Sequence, residues 1–260
     1  DKVELNSKRI GEGDKIDLEI EVKEKKTGEL NFGIGYSTVD QATGSIGIKE
    51  RNLLGTGQEL GLNLQKSKYR FTNEINYTKP YFIDREIAVG TDLFNYQQGK
   101  RNTLVYDQVA KGFTLRGDYS ITEHLNHQLR YSYRDETISN VDSSASVTIR
   151  NLAGNFTYST IGHTLMFDKR DNRFDPRNGY YFNISEDHAG SGGNIKYLKH
   201  EGSAAYYQQV ITDDFVLKFS GRFGYIDGIG QDIRSNNNFF LGGNNFRGFE
   251  YAGMGPRTIV

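Results

Sequence analysis

The chain has no cysteine and no tryptophan, and only three prolines among its 260 residues. The absence of cysteine is compatible with the periplasm or the outer membrane, where stray thiols would be oxidised. No stretch approaches 18 consecutive apolar residues, and the mean hydropathy is -0.65. A helical membrane span is therefore excluded. A membrane β-barrel is not excluded, because its strands alternate apolar and polar residues.

An excess of charge of either sign is also lacking, since 32 basic residues stand against 33 acidic ones, for a net charge of -1. No basic stripe exists to displace counterions from phosphates, so the sequence argues against a nucleic-acid partner. The chain is rich in Tyr (17), Phe (16) and Gly (30). This composition favours aromatic-rich strands joined by glycine and asparagine turns, and thus an all-β fold.

Apolar and polar residues alternate along several segments. In the clearest case one side carries Phe215, Leu217, Phe219, Phe223 and Tyr225, and the other carries Val216, Lys218, Ser220 and Arg222. A two-residue period predicts a strand with one face toward lipid and the other toward a wet interior. Such patterns predict strands at residues 31 to 39, 44 to 53, 58 to 66, 69 to 79, 86 to 97, 111 to 121, 125 to 136, 151 to 168, 179 to 188, 196 to 211 and 214 to 227, with a twelfth beginning near residue 256.

The predicted connections tend to alternate between two lengths. Residues 55 to 57, 122 to 124 and 212 to 213 form short turns, whereas residues 98 to 110, 137 to 150 and 228 to 255 form longer polar segments. A meander of this kind is typical of an antiparallel transmembrane β-barrel with tight periplasmic turns and longer external loops.

Three segments carry candidate functional residues. The glycine-rich loop at residues 228 to 255 contains Phe246, Arg247, Gly248 and Phe249, which place a guanidinium between two aromatic rings. A guanidinium is always charged and prefers a bidentate carboxylate partner. The second segment is a turn with Asp168, Arg170, Asp171, Asn172, Pro176 and Gly179, and the third is a strand with Asn31, Phe32, Gly33, Ile34, Gly35 and Tyr36.

The aspartates of the second segment are spaced unlike those of an EF-hand, so no metal site is predicted there. The alternation of aspartate and arginine instead predicts that a carboxylate and a guanidinium pair within one turn.

Taken in order along the chain, these motifs resemble those of the outer-membrane β-barrel assembly superfamily, in which POTRA domains precede a barrel. Residues 246 to 249 resemble its RGF loop, with Phe246 where Val or Ile is usual, and residues 168 to 179 resemble its D-x-R-D-N…P-x-x-G turn. Residues 31 to 36 resemble its first barrel strand. The resemblance implies that residues 1 to 27 end the last POTRA domain and that residues 28 to 260 hold about 11 to 12 of 16 barrel strands.

The resemblance also implies a function, which is to insert and fold β-barrel proteins in the outer membrane without enzymatic chemistry, cofactor or metal. The expected partners are the outer-membrane lipid bilayer, nascent β-barrel proteins, accessory assembly lipoproteins and periplasmic chaperones. Residues 1 to 27 are expected on the periplasmic side. Arg247 is expected to latch the loop inside the barrel against an acidic residue located beyond Val260.

A physical mechanism follows from barrel closure. A weak seam between the first and last strands leaves an edge on which an incoming strand can pair, and Gly33 and Gly35 would weaken such a seam. The alternatives are a two-partner secretion or autotransporter-assembly transporter of the same superfamily, a passive porin-like channel, and a soluble all-β binding protein. The charged residues 1 to 27 disfavour the porin, and the apolar faces of the strands disfavour the soluble protein.

Overall fold

The computed structural model describes residues 2–9, 16–23, 26–37, 40–101, 104–211, 215–242, 245–249 and 253–254. Within them the chain is built almost entirely of strands. The strands are β1 (Lys2–Arg9), β2 (Ile16–Lys23), β3 (Gly28–Ser37), β4 (Gln41–Leu53), β5 (Gln58–Ser67), β6 (Arg70–Lys79), β7 (Ile87–Gln98), β8 (Asp107–Ser120), β9 (Leu125–Ser139), β10 (Gly154–Asp168), β11 (Gly179–Ala189), β12 (Tyr197–Gln209) and β13 (Val216–Gly228).

The strands form two antiparallel sheets. Strands β1 and β2 pair in a two-stranded sheet, and β3 to β13 form an 11-stranded sheet in which every strand pairs with its sequence neighbours. This meander confirms the predicted all-β, antiparallel class. None of the helical segments in the described part of the chain is long and apolar enough to cross a membrane.

Several predicted boundaries were wrong by a few residues. The strand predicted from residue 151 begins at Gly154, because residues 147 to 150 form a single helical turn. Ser146 caps that turn by accepting a hydrogen bond from the amide of Ile149, as short hydroxyl side chains commonly do. Strand β1 was not predicted, and the strand expected near residue 256 lies outside the described residues.

The large sheet has two chemically distinct faces, which alternate residue by residue along each strand. The apolar face carries exposed side chains such as Phe32, Leu115, Leu129 and Phe219. The polar face carries ion pairs between strands, such as that of Arg130 on β9 with Asp187 on β11, which meet at 2.6 Å across β10. The residues from Val216 to Tyr225 that were predicted to alternate between two faces do so, because β13 pairs with β12 in an unbroken register; Phe215 immediately precedes the strand.

One polar cluster interrupts the apolar face. Glu186 of β11 lies between two histidines, with His163 Nε2 at 3.1 Å and His200 Nδ1 at 2.9 Å from its two carboxylate oxygens. The cluster shares its face with Phe182 and Ile184, because side chains two residues apart on a strand point the same way. The alternation therefore predicts the faces of the sheet but not every residue on them.

Candidate functional site

The first candidate segment lies at one edge of the large sheet. Among the described strands, β3 pairs only with β4, so its other backbone edge faces away from the sheet. On the apolar face Phe32, Ile34 and Tyr36 are exposed, and Ile34 is exposed to 98%. An edge strand with unpaired backbone groups is a template for pairing with another strand.

On its polar face β3 is lined by small residues. Asn31, Gly33 and Gly35 alternate with the apolar side chains, and the space where Gly33 would carry a Cβ is occupied by the hydroxyl of Ser45 on β4. A larger residue at position 33 would push that neighbour aside. Gly35 has open space around it. The strand therefore presents a bulky apolar side and a nearly bare polar side.

The second candidate segment is the turn from β10 to β11, where Asp168 and Arg170 form a bidentate pair. Arg170 donates from Nε and Nη2 to the two Asp168 carboxylate oxygens, both at 2.8 Å. The Asp168 side chain is 4% exposed, and Arg173 Nε approaches it at 3.3 Å. The Arg170 guanidinium also lies 5.0 Å from the centroid of the Tyr181 ring. These contacts fix the start of the turn.

The rest of that turn is held by side chains that bond the backbone. The Asp171 carboxylate accepts hydrogen bonds from the amides of Asn172, Arg177 and Asn178 at 2.8 to 3.1 Å. Desolvation raises the pKa of the Asp171 carboxyl, but these amide donors outweigh it and hold the pKa below its usual value. The carboxylate is therefore the form that organises the turn.

The remaining predicted residues of the turn complete this arrangement. The Asn172 amide oxygen accepts from the backbone of Phe174 at 2.8 Å, and Pro176 is half-buried. Gly179 has a φ of +106°, and a Cβ there would collide with the carbonyl oxygen of Lys169. The position therefore requires glycine, both for its dihedral angle and for the close approach of the backbone.

The third candidate segment is the loop after β13. The rings of Phe246 and Phe249 pack with their centroids 5.2 Å apart. Gly248 between them has a φ of +92°, which favours glycine. Arg247 is exposed, and no ion-pair partner for it lies among the described residues. A bridge between Leu241 and Met254 closes the loop below this tip. The glycine at position 243 lies outside the described residues.

A buried carboxylate that the sequence reasoning missed anchors the beginning of the same loop. Glu136 of β9 accepts hydrogen bonds from Asn236 at 3.0 Å and from Arg234 at 3.4 Å, both in the loop, and from Gln108 at 3.0 Å on β8. Farther along, Phe239 packs against Gly224, where a Cβ would come within 2.5 Å of the ring. The loop is thus folded back onto the polar face of the sheet. No local motif marks these residues.

The three predicted segments are not brought together within the described residues. The turn at Asp168 follows β10 and the loop follows β13, and in an antiparallel meander these two connections lie at opposite ends of the strands. Strand β3 is at the opposite edge of the sheet from β13. Each segment has therefore to act separately or through parts of a larger protein.

Comparisons with known proteins identify a family and several relatives of this chain. The family model described as "Omp85 superfamily domain" matches residues 52–259. A curated relative from Neorickettsia risticii (strain Illinois), "Outer membrane protein assembly factor BamA", is 31% identical over 260 residues. That match covers 100% of this chain but 35% of the relative, so the chain spans about a third of the relative's length.

Solved structures share the fold. A crystal structure of BamA from Haemophilus ducreyi lacking POTRA domains 1–3 matches with a TM-score of 0.81 and 21% identity, covering 98% of this chain and 52% of that one. CdiB from Acinetobacter baumannii matches with a TM-score of 0.56 and 14% identity, covering 97% and 48%. The likeness to BamA confirms the predicted barrel class for the 11-stranded sheet.

Proposed function

The chain belongs to the Omp85 superfamily, and from that membership we propose that it is part of an outer-membrane protein assembly factor that inserts and folds β-barrel proteins. The observation that carries the proposal is the 31% identity along the whole chain to a relative named as such a factor. The exposed edge of β3 agrees with this function, because it is an edge on which an incoming strand could pair.

The proposed mechanism uses the edge of β3. In a bilayer core an unpaired backbone amide or carbonyl has no water to bond, so the pairing of an incoming strand with β3 is favourable. Phe32, Ile34 and Tyr36 would face lipid beside the apolar residues of the incoming strand. The bare polar side at Gly33 and Gly35 gives few side-chain contacts to a closing strand, so the seam is weak enough to open.

We also propose the arrangement of the chain in the cell. Residues 28 to 260 would form the N-terminal part of the barrel, and residues 1 to 27, which contain the β1–β2 hairpin, would end a periplasmic POTRA domain. The exposed apolar face of the large sheet would contact the outer-membrane lipid. Nascent barrel proteins, accessory lipoproteins and periplasmic chaperones would be the partners.

Arg247 has a proposed role as a latch of the loop. It lies in the sequence between Phe246 and Phe249, whose rings pack against each other, and it is exposed and without an ion-pair partner in the described part of the chain. A guanidinium whose donors are free in this way is suited to a bidentate carboxylate. We place that carboxylate on strands of the full-length protein that follow this segment.

A secretion transporter of the same superfamily is the second candidate. The match to CdiB, with a TM-score of 0.56 against 0.81 for BamA, bears on the fold alone, whereas the relative that is 31% identical over the whole chain is named as an assembly factor. The assembly function is therefore favoured.

Reconstitution separates the two functions. The full-length protein in liposomes should raise the yield of a folded, heat-modifiable client barrel above that of protein-free liposomes. Equal yields, together with export of a soluble substrate, would favour secretion instead.

A further inference from the structure

We propose that Glu136 and Arg234 form a clamp that positions the loop after β13 on the polar face of the sheet. Arg234 would then be a positioning residue, which sets where the tip with Arg247 can reach. The consequence for assembly rests on the proposed function, whereas the docking of the loop does not.

Burial of the carboxylate is the first observation. The Glu136 side chain is 2% exposed, and a buried charge is tolerated only when it is paired and hydrogen-bonded. Two of its donors come from the large sheet: Gln108 of β8 donates at 3.0 Å and Tyr158 of β10 donates at 3.4 Å. The other two, Arg234 and Asn236, come from the loop. Without the loop, Glu136 Oε1 would lose the donors Arg234 and Asn236 and keep the Tyr158 hydroxyl.

The arginine is held just as closely. Arg234 is 12% exposed, and its Nη1 donates to Glu136 at 3.4 Å and to the Tyr158 hydroxyl at 3.0 Å. Its Nη2 donates to the carbonyl of Leu152 at 2.8 Å, and its guanidinium lies 3.2 Å from the centroid of the Phe156 ring. One side chain therefore ties the loop to β9, to β10 and to the segment before β10.

Arg134 also approaches Glu136, at 3.8 Å, and lies over the Tyr158 ring, but it belongs to β9 itself and does not connect the loop to the sheet. Arg222 on β13 and Arg247 at the loop tip are both exposed, and the described residues offer neither an ion pair. A planar fork with a ring against its face is pre-organised, so little entropy is lost per hydrogen bond. Among these arginines, Arg234 is therefore the one that links the loop to the sheet.

Thiol accessibility in the full-length protein tests the clamp. A cysteine at the half-buried Ser235, next to the clamp, would report loop docking through its rate of maleimide labelling in proteoliposomes, and these 260 residues contain no competing cysteine. Glu136→Gln and Arg234→Gln should each speed labelling by about tenfold or more, since a charged hydrogen bond is lost. The double variant should label more slowly than the product of the two single effects predicts, because the two residues share one interaction.

Three controls separate docking from general damage. Arg222→Gln should leave labelling at position 235 unchanged, and a cysteine at Ser45 on β4 should label equally slowly in every variant. Arg234→Lys should give an intermediate rate, because an ammonium keeps the charge but loses the fork. If a full substitution prevents folding, Asn236→Ala removes one loop donor and should still raise labelling measurably.

The outcomes are decisive for the clamp and independent of the function. Unchanged labelling in Glu136→Gln and Arg234→Gln, or additive effects in the double variant, would overturn the proposal. Client folding is measured in the same vesicles. Faster labelling with normal client folding would keep the clamp and remove its role in assembly.

Discussion

Glu136 and Arg234 are separated by 98 residues in the sequence, yet Arg234 Nη1 lies 3.4 Å from the Glu136 carboxylate. The contact joins a barrel strand to the loop that the sequence patterns marked as functional. It means that the loop is positioned at its base by a buried pair, whereas its tip at Arg247 is exposed. The base and the tip therefore lend themselves to separate experiments.

The two faces of β13 should respond differently to charge. Phe219→Lys in the full-length protein places an ammonium on the apolar face and should cost about 2 to 4 kcal/mol if the residue lies near the bilayer midplane. Ser220→Lys, one residue away on the polar face, should cost much less. Unfolding of both variants in denaturant from liposomes measures the difference. Equal costs would mean that the apolar face does not contact lipid.

The turn between β10 and β11 should depend on glycine at position 179. Gly179→Ala meets both an unfavourable φ of +106° and a collision with the Lys169 carbonyl, so it should destabilise the turn by more than the dihedral strain alone. Gly55→Ala is the matched control, because Gly55 has a φ of +73° but open space around it. Its cost should stay at about 1 to 2 kcal/mol.

Protease accessibility of the 169 to 178 segment, together with the denaturation midpoint, measures this difference. Similar effects of the two substitutions would show that the close backbone approach at Gly179 contributes nothing.

Arg247 should matter for the tip of the loop rather than for the sheet. Arg247→Ala in the full-length protein should leave strand content intact, loosen residues 240 to 256, and lower the yield of folded client barrel. Arg247→Lys should rescue poorly, because it lacks the planar fork. Arg222→Ala, which removes another exposed arginine, is the control.

Circular dichroism, protease accessibility and client folding in liposomes report these three effects. If Arg247→Ala behaves as the wild type in the last two assays, Arg247 is an ordinary loop residue. Surface substitutions of that kind change stability by roughly 0.5 kcal/mol or less.

The sequence predicts the strands and their faces well, for a physical reason. Each strand separates two different environments, so residues such as Phe219 and Ser220 alternate, and antiparallel pairing of neighbours follows from the short turns. Errors arise where a local hydrogen bond overrides the alternation of apolar and polar residues, as when Ser146 caps a helical turn before β10. The polar cluster at Glu186 is a second departure, because its partners lie on two other strands.

The site is less accessible to sequence reasoning than the fold. Asp168 and Arg170 are two residues apart, so their pairing can be predicted from spacing. Arg234 and Glu136 pair across 98 residues, and no periodicity says which loop folds back onto which strand. Arg247 stood out because of its flanking rings. Arg234 has no such local signal in the sequence, although its side chain contacts the sheet and the Arg247 side chain is exposed.

The account rests above all on strand pairing at the edge of β3, and site-specific photocrosslinking during client assembly tests it most directly. A photoreactive residue at Ile34, on the edge strand, should crosslink to a terminal strand of the client barrel. The same residue at Leu129 should not, because it is exposed on the apolar face of β9 but has paired strands on both sides. Client folding without any adduct at position 34, or equal adducts at both positions, would contradict the mechanism.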